Sequence, residues 1–205
     1  MKIILISDLY PLKKDGSIPL VLEDFALAFK SFGAQVSVIR PNFILNCLIR
    51  SHKIFKSGKY FEKEIEIYNK NFFFPFNLIS KKTLEEVENF LAGADVLISH
   101  MPSGHIFSNL IIKKSEKISK IPHISILHQS DLTVLESLKY KFYFKRKLLN
   151  ALKSSSALGA RNPFLAKKAL KHNLKTDFIL PSFVEKENIS KAKNFEQNEK
   201  LKIIT

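Results

Sequence analysis

Lys2-Ile-Ile-Leu-Ile-Ser7, then Leu20 to Phe32, then Val36 to Ile39: the succession of these three segments decides the fold class. The first is an unbroken apolar run of strand length, the pattern of a strand covered on both faces by helices. The second carries Leu22, Phe25, Ala26, Phe29 and Phe32 at helical spacing and stops at Gly33, a natural C-terminal residue for a helix. The third is a short β-branched strand. Together they make a βαβ unit, whose crossover is expected to be right-handed.

Outward from this unit the pattern recurs. Thr83-Leu-Glu-Glu86 reads as a capping box opening a helix that Gly93 closes, followed by the strand Ala94 to His100. A helix is predicted from about Gly104 to Ser119, a strand over His123 to Leu127 behind Pro122, and a short strand over Ala157 to Ala160. Asn162 and Pro163 form an N-cap and first-turn pair for a helix running to about His172, and Phe178 to Leu180 ends at Pro181. Strands alternating with helices imply an α/β, Rossmann-like, doubly wound and mainly parallel sheet flanked by helices. Residues 50–76 are less regular and read as an insertion or an antiparallel excursion.

With 205 residues, 45% of them hydrophobic, one domain with a sizeable core is expected, over residues 1–184. Residues 185–200 are almost entirely charged or amide-bearing and read as a linker. Leu201-Lys-Ile-Ile-Thr205 then opens a strand, either the first of a further domain or an edge strand of the same sheet. The N-terminus meets Ser7 and Asp8 too early for a signal-peptide core, so a cytoplasmic protein is expected. A single cysteine, Cys47, leaves no internal disulfide and no cysteine-cluster metal site. The formal charge of +14 favours anionic partners, namely nucleic acid, anionic lipid headgroups or phosphorylated substrates.

The six glycines never come closer than eleven residues, which excludes the G-x-G-x-x-G dinucleotide fingerprint and the P-loop. The nucleophile elbow G-x-S-x-G is absent as well. Chemistry-bearing residues are therefore sought on loops after strand ends, where open α/β sheets hold ligands. The loop Asp8 to Ser17 leads into a helix N-terminus and is a candidate phosphate cradle through Gly16 and Ser17. His128 directly follows a central strand, where it can hydrogen-bond a sugar hydroxyl or organise a leaving group, while Asp131 can accept a hydroxyl proton or hold the ring. His100, with Ser103 close behind, ends the preceding strand at the equivalent edge.

In this order, Lys-Ile-Ile-Leu-Ile-Ser-Asp-Leu-Tyr-Pro11, Ser-Phe-Gly-Ala-Gln-Val-Ser-Val-Ile39, Ala-Asp-Val-Leu-Ile-Ser-His100, Ile-Pro-His-Ile-Ser-Ile-Leu-His128 and Phe-Ile-Leu-Pro-Ser-Phe-Val184 span nearly the whole chain. The sequence resembles the N-terminal, acceptor-side domain of GT4-type glycosyltransferases of the GT-B fold. The resemblance implies a retaining hexosyltransferase whose partners are a nucleotide-sugar donor and a glycan or lipid-linked acceptor, with no metal or other cofactor. It implies His128 as the catalytic contact to donor sugar or reacting centre. Gly16 and Ser17 would lie beside the phosphates or acceptor, with His100 and Asp131 as further substrate-binding candidates. Residues 201–205 would open the donor-binding domain, and this fragment alone would be inactive. The family's first loop commonly carries two adjacent glycines, where this chain has Gly16 followed by Ser17.

Between Leu138 and Lys153, Lys139, Lys141, Lys145, Arg146 and Lys147 alternate with Tyr140, Phe142, Tyr143 and Phe144 without an acid. Such a segment suits an anionic membrane surface, hence a peripheral location on the inner face and a role in bacterial surface-polysaccharide or glycoconjugate synthesis. The wheel predicts an apolar stripe of Leu138, Phe142, Leu149 and Leu152, with Lys141 and Lys145 in or beside it. Basic residues interleaved with aromatics also suit single-stranded nucleic acid, but no nucleic-acid-binding motif accompanies them, so that reading ranks behind the transferase. A non-catalytic glycan- or nucleotide-binding module is the third reading.

Overall fold

The structure is a computed structural model that describes residues 1–11, 21–44, 56–72 and 79–181. Gly16, Ser17, Cys47, the expected linker and the terminal strand lie outside the described residues. The strands are β1 (Lys2–Ile6), β2 (Gln35–Phe43), β3 (Gly58–Glu62), β4 (Ile65–Phe72), β5 (Val96–His100), β6 (His123–Leu127), β7 (Ala157–Ala160) and β8 (Phe178–Ile179). The helices are α1 (Val21–Ser31), α2 (Lys81–Leu91), α3 (Met101–Lys114), α4 (Glu116–Ser119), α5 (Gln129–Glu136), α6 (Phe142–Lys153) and α7 (Pro163–Ala169). A 3-10 turn, Leu170–His172, continues α7.

The sheet order is β3-β4-β2-β1-β5-β6-β7-β8, parallel throughout except for the β3–β4 hairpin. This is the doubly wound α/β sheet expected from the sequence. The chain enters at the middle, winds outward through β2 and β4, and then returns to the other side of β1 with β5. In open α/β sheets ligands are held beyond the carboxyl ends of the strands at such a reversal, which here falls between β1 and β5.

The continuous apolar run of β1 explains its central place. Ile3 and Leu5 join a core with Phe25 and Ala26 of α1 and Val36, Val38, Ile65 and Ile67 of the neighbouring strands. Ile4 and Ile6 face the opposite layer, packing with Val87 and Leu91 of α2 and Phe107 and Ile111 of α3. Each such side chain contributes on the order of 1.5–3 kcal/mol by leaving water, so a polar residue at any of Ile3 to Ile6 would damage one layer or the other. A third core joins α5, α6 and α7 through Leu132, Leu148, Leu152 and Leu165.

Several boundaries differ from expectation. The cap of α2 is Ser80, whose hydroxyl accepts from the Thr83 backbone N–H at 3.2 Å, so the motif begins three residues before Thr83. Lys81 and Lys82 have ordinary helix propensity and extend the helix back to the nearest hydroxyl cap. The helix after β5 starts at Met101 rather than near Gly104 and breaks at Ser115 into α3 and α4. Residues 58–72 realise the antiparallel excursion as β3 and β4. The stripe expected on α6 is corrected: Leu148, Ala151 and Leu152 are buried, whereas Leu138 is 99% and Phe142 78% exposed. Packing against α3 and α5 selects the second half of the helix and leaves its aromatic start outside.

Candidate functional site

His100 and His128 leave the sheet from adjacent parallel strands, β5 and β6, whose register pairs His100 with Ile126. Each caps the helix that follows, α3 or α5. Their rings meet, His100 Nδ1 to His128 Nε2 at 2.9 Å, with ring planes 63° apart. One ring donates this hydrogen bond and the other accepts it. His100 is completely buried and His128 is 7% exposed, so His128 is the member that reaches the surface of the sheet edge.

Both rings are held neutral. Burial lowers the His128 pKa to about 4, with Arg161 and His105 acting in the same direction against the opposing Asp131 carboxylate. Burial also drives His100 well below its ordinary value, reinforced by His128, His105 and Arg161. Arg161 follows the last residue of β7, and its guanidinium lies 4.8 Å from the Phe25 ring centre. The same Phe25 ring packs 5.3 Å from His100, so α1 and the ends of β5, β6 and β7 converge here.

The turn from β5 into α3 is tight. Met101 takes a left-handed conformation at φ 66°, unusual for a residue with a side chain and costing roughly 1–3 kcal/mol. One turn later, a Cβ on Gly104 would stand 2.5 Å from the Ile6 carbonyl oxygen. Only glycine lets the first turn of α3 lie against the end of β1, at the reversal of strand order.

Asp131 lies beneath this edge, fully buried. Its Oδ2 accepts the His128 backbone N–H at 2.7 Å and stands 3.5 Å from His105 Nε2, a long contact rather than a good hydrogen bond. The Asp131 carboxylate thus holds the His128 backbone, and it presents no atom to solvent. His100 is equally enclosed. Both are buried and stand behind His128 in this structure. The basic residues Lys139, Lys141, Lys145, Arg146 and Lys147 are not gathered at the histidines. They lie beyond α5, on the loop before α6 and its opening turns.

Residues that sequence reasoning passed over are Arg40, Asn42, Asn69 and Asn71. Arg40 is buried at the end of β2, where its Nε donates to the Asp8 carbonyl at 3.2 Å and its Nη1 to Asn69 Oδ1 at 3.3 Å. Asn42 donates to Asn71 Oδ1 at 2.9 Å. This polar ladder fixes where the first loop departs from β1. Its signal was present, since an arginine and three asparagines stand among the apolar residues of β2 and β4, but only the pairing of those strands brings them together.

A separate open pocket of about 460 Å³ lies between β3, β4 and α2, lined by Lys59, Tyr68, Lys70, Glu86, Asn89 and Phe90. Tyr68 and Lys70 both donate to Glu86 Oε2, at 2.7 and 2.6 Å. Two strands, β2 and β1, separate β4 from the histidine pair. Among the described residues no group of three or more His, Cys, Asp or Glu side chains is arranged to hold a metal ion, and no helix is long and apolar enough to cross a membrane.

No protein-family model matches the sequence, and no curated protein matches it. Solved structures do match. Anabaena HepE in complex with UDP shares 16% identity and a TM-score of 0.52 over 96% of this chain and 50% of its own. HepE with UDP and glucose gives 13% identity and a TM-score of 0.54 over 95% of this chain and 50% of that one. Sucrose-phosphate synthase from Thermosynechococcus elongatus gives 10% identity and a TM-score of 0.52, covering 96% of both chains. Likeness at these identities establishes the fold alone, a Rossmann-like α/β domain of the GT-B architecture, as the resemblance implied. The chain spans about half the length of HepE.

Proposed function

We propose that this chain is the acceptor-side domain of a retaining glycosyltransferase that moves a hexose from a nucleotide sugar to a glycan or lipid-linked acceptor. The observation that carries this reading is the neutral histidine pair at the carboxyl edge of β5 and β6, in a fold shared with a protein seen with UDP and glucose. A neutral His128, its ring direction fixed by His100, is the member of the pair that reaches the edge where a sugar hydroxyl would meet it. The first turns of α3 and α5 open on the same edge, where their N–H dipoles favour negative charge developing on the acceptor or on a departing diphosphate. Basic groups, rather than a resident metal, complete that stabilisation in this reading. The Gly16 and Ser17 loop would approach the phosphates or acceptor, and a second domain would supply most of the nucleotide contacts.

The surface supports a location as well. Leu138, Phe142 and Tyr143 are exposed among Lys139, Lys141 and Arg146, a combination suited to the anionic inner face of a membrane. This suits a lipid-linked acceptor and synthesis of a bacterial surface glycoconjugate. Nucleic acid is the second reading of the same patch, and a steep loss of RNA or DNA affinity with salt would favour it.

The test is sugar transfer by the full-length protein across UDP-, GDP- and ADP-sugars, with His128→Ala alongside. Donor-dependent product that falls by about 10²-fold or more in the variant supports the reading. Product formed equally well without His128 removes it.

A further inference from the structure

Four of the six histidines in the sequence lie in one buried cluster with two serines and an aspartate, and only His128 among them reaches the surface. Ser99 Oγ is its junction. It stands 2.7 Å from His105 Nδ1, 2.8 Å from His123 Nε2 and 3.2 Å from Ser125 Oγ, all fully or almost fully buried. The other side of the His105 ring, Nε2, faces Asp131 Oδ2 at 3.5 Å, and that oxygen accepts the His128 backbone N–H.

The proton arrangement follows from valence. A carboxylate only accepts, so attraction between His105 and Asp131 requires the proton on His105 Nε2. His105 Nδ1 then bears a lone pair and takes the Ser99 hydroxyl proton. Having given its single proton, Ser99 must accept from His123 Nε2 and from Ser125. His123 Nδ1, His105 Nε2 and Asp131 Oδ1 are buried atoms without a hydrogen-bond partner; in this arrangement His123 Nδ1 is a bare acceptor, cheaper to leave unmatched than a donor, and His105 Nε2–H meets Asp131 only through the 3.5 Å electrostatic contact. Every bond in the chain therefore points toward Asp131. Although serine, histidine and aspartate follow one another here as in a hydrolase, Ser99 has no solvent access and cannot meet a substrate.

We propose that His105 is the positioning residue for His128: through Asp131 it fixes the backbone of the α5 cap, with Ser99 and His123 setting the His105 tautomer. His128 is thus gripped twice, by Asp131 at its backbone and by His100 at its ring. The groups facing the cluster are His100, His128 and Arg161, with Asp24 beside Arg161. The kinetic half of the test rests on the transferase reading, and the spectroscopic half does not.

Long-range proton–nitrogen NMR of the imidazoles in this chain should show His105 and His123 both as Nε2–H tautomers. A proton on Nδ1 of either ring overturns the proposal, whatever the protein catalyses. His105→Gln keeps an amide N–H and a carbonyl at the spacing of the two ring nitrogens, so it should retain the His128 ring signals and activity within about threefold. His105→Leu should shift those signals and lower kcat roughly 10- to 100-fold with KM little changed, as for a group misplaced by under an ångström. Unchanged His128 signals in His105→Leu, or equal loss in the Gln and Leu variants, would overturn it. Should His105→Leu fail to fold, the native tautomers and the Gln variant still decide.

Discussion

The histidine cluster under β5 and β6 and the opening of α6 invert the usual distribution of side chains in opposite directions. In the first, Ser99, His100, His105, His123, Ser125 and Asp131 are enclosed in the core. In the second, Leu138, Phe142 and Tyr143 stand in solvent among lysines. Buried polar groups persist when they satisfy one another, and the cluster does so in part, through a run of bonds between 2.7 and 3.2 Å that leaves His100 Nε2, His105 Nε2, His123 Nδ1 and Asp131 Oδ1 without a hydrogen-bond partner. Exposed apolar side chains gain little from the fold itself, and a patch of them marks a candidate contact surface. The inner region is held by the fold, and the outer one lies largely in solvent.

The comparison breaks most readily at His128. If the proposed transfer is the protein's activity, replacement of His128 by alanine should lower kcat by about 10²- to 10³-fold, measured under saturating donor and acceptor. A smaller loss would mean that the cluster serves folding rather than transfer.

Acid should attack the inner region next. Burial lowers His123 to about 3 and His128 to about 4, and drives His100 down as well. Because the unfolded chain takes up protons first, this contribution to stability is present above about pH 6.5 and is lost as pH falls from there toward 4. The three rings together should lower the free energy of urea unfolding by a few kcal/mol, on the order of 1 kcal/mol per ring, between pH 7.5 and 5.5. A flat profile over that range would show that the rings are not held neutral.

Gly104→Ala tests the scaffold between the two regions. Its Cβ would collide with the Ile6 carbonyl, so α3 must back away at a cost of roughly 1–3 kcal/mol in unfolding free energy. The same shift should move His128 resonances, since His105 travels with α3.

Smallest in stability is the outer region. Leu138→Ser with Phe142→Ser should change unfolding free energy by less than about 0.5 kcal/mol, the range for exposed sites. The same pair should weaken sedimentation with vesicles containing phosphatidylglycerol without affecting the histidine spectra. Undiminished vesicle binding would remove these residues from the membrane reading.

The legible part of the fold was its periodic part. The apolar run at Ile3 to Ile6, Gly33 and Gly93 at helix ends with φ of 81° and 73°, and the Asn162 cap are local signals, set by neighbours in sequence. His100 and His128 were legible as strand-end residues, because position after an apolar strand already places a side chain at the sheet edge. Their pairing was not, for it depends on β5 and β6 being adjacent and in register. Arg40 and Asn69, and likewise Ser99 and His105, carry no joint signal along the chain, and α6 misled because its wheel is satisfied by two faces.

By itself, then, the sequence determined the alternation of strands and helices, the doubly wound sheet and the residues at strand ends, since hydrophobic period, capping and glycine placement act over a few residues. Only the tertiary structure decided which buried polar atoms satisfy one another and which face of α6 is covered. Those choices belong to contacts between strands and layers, where desolvation makes each unpaired group costly and thereby selects the partner.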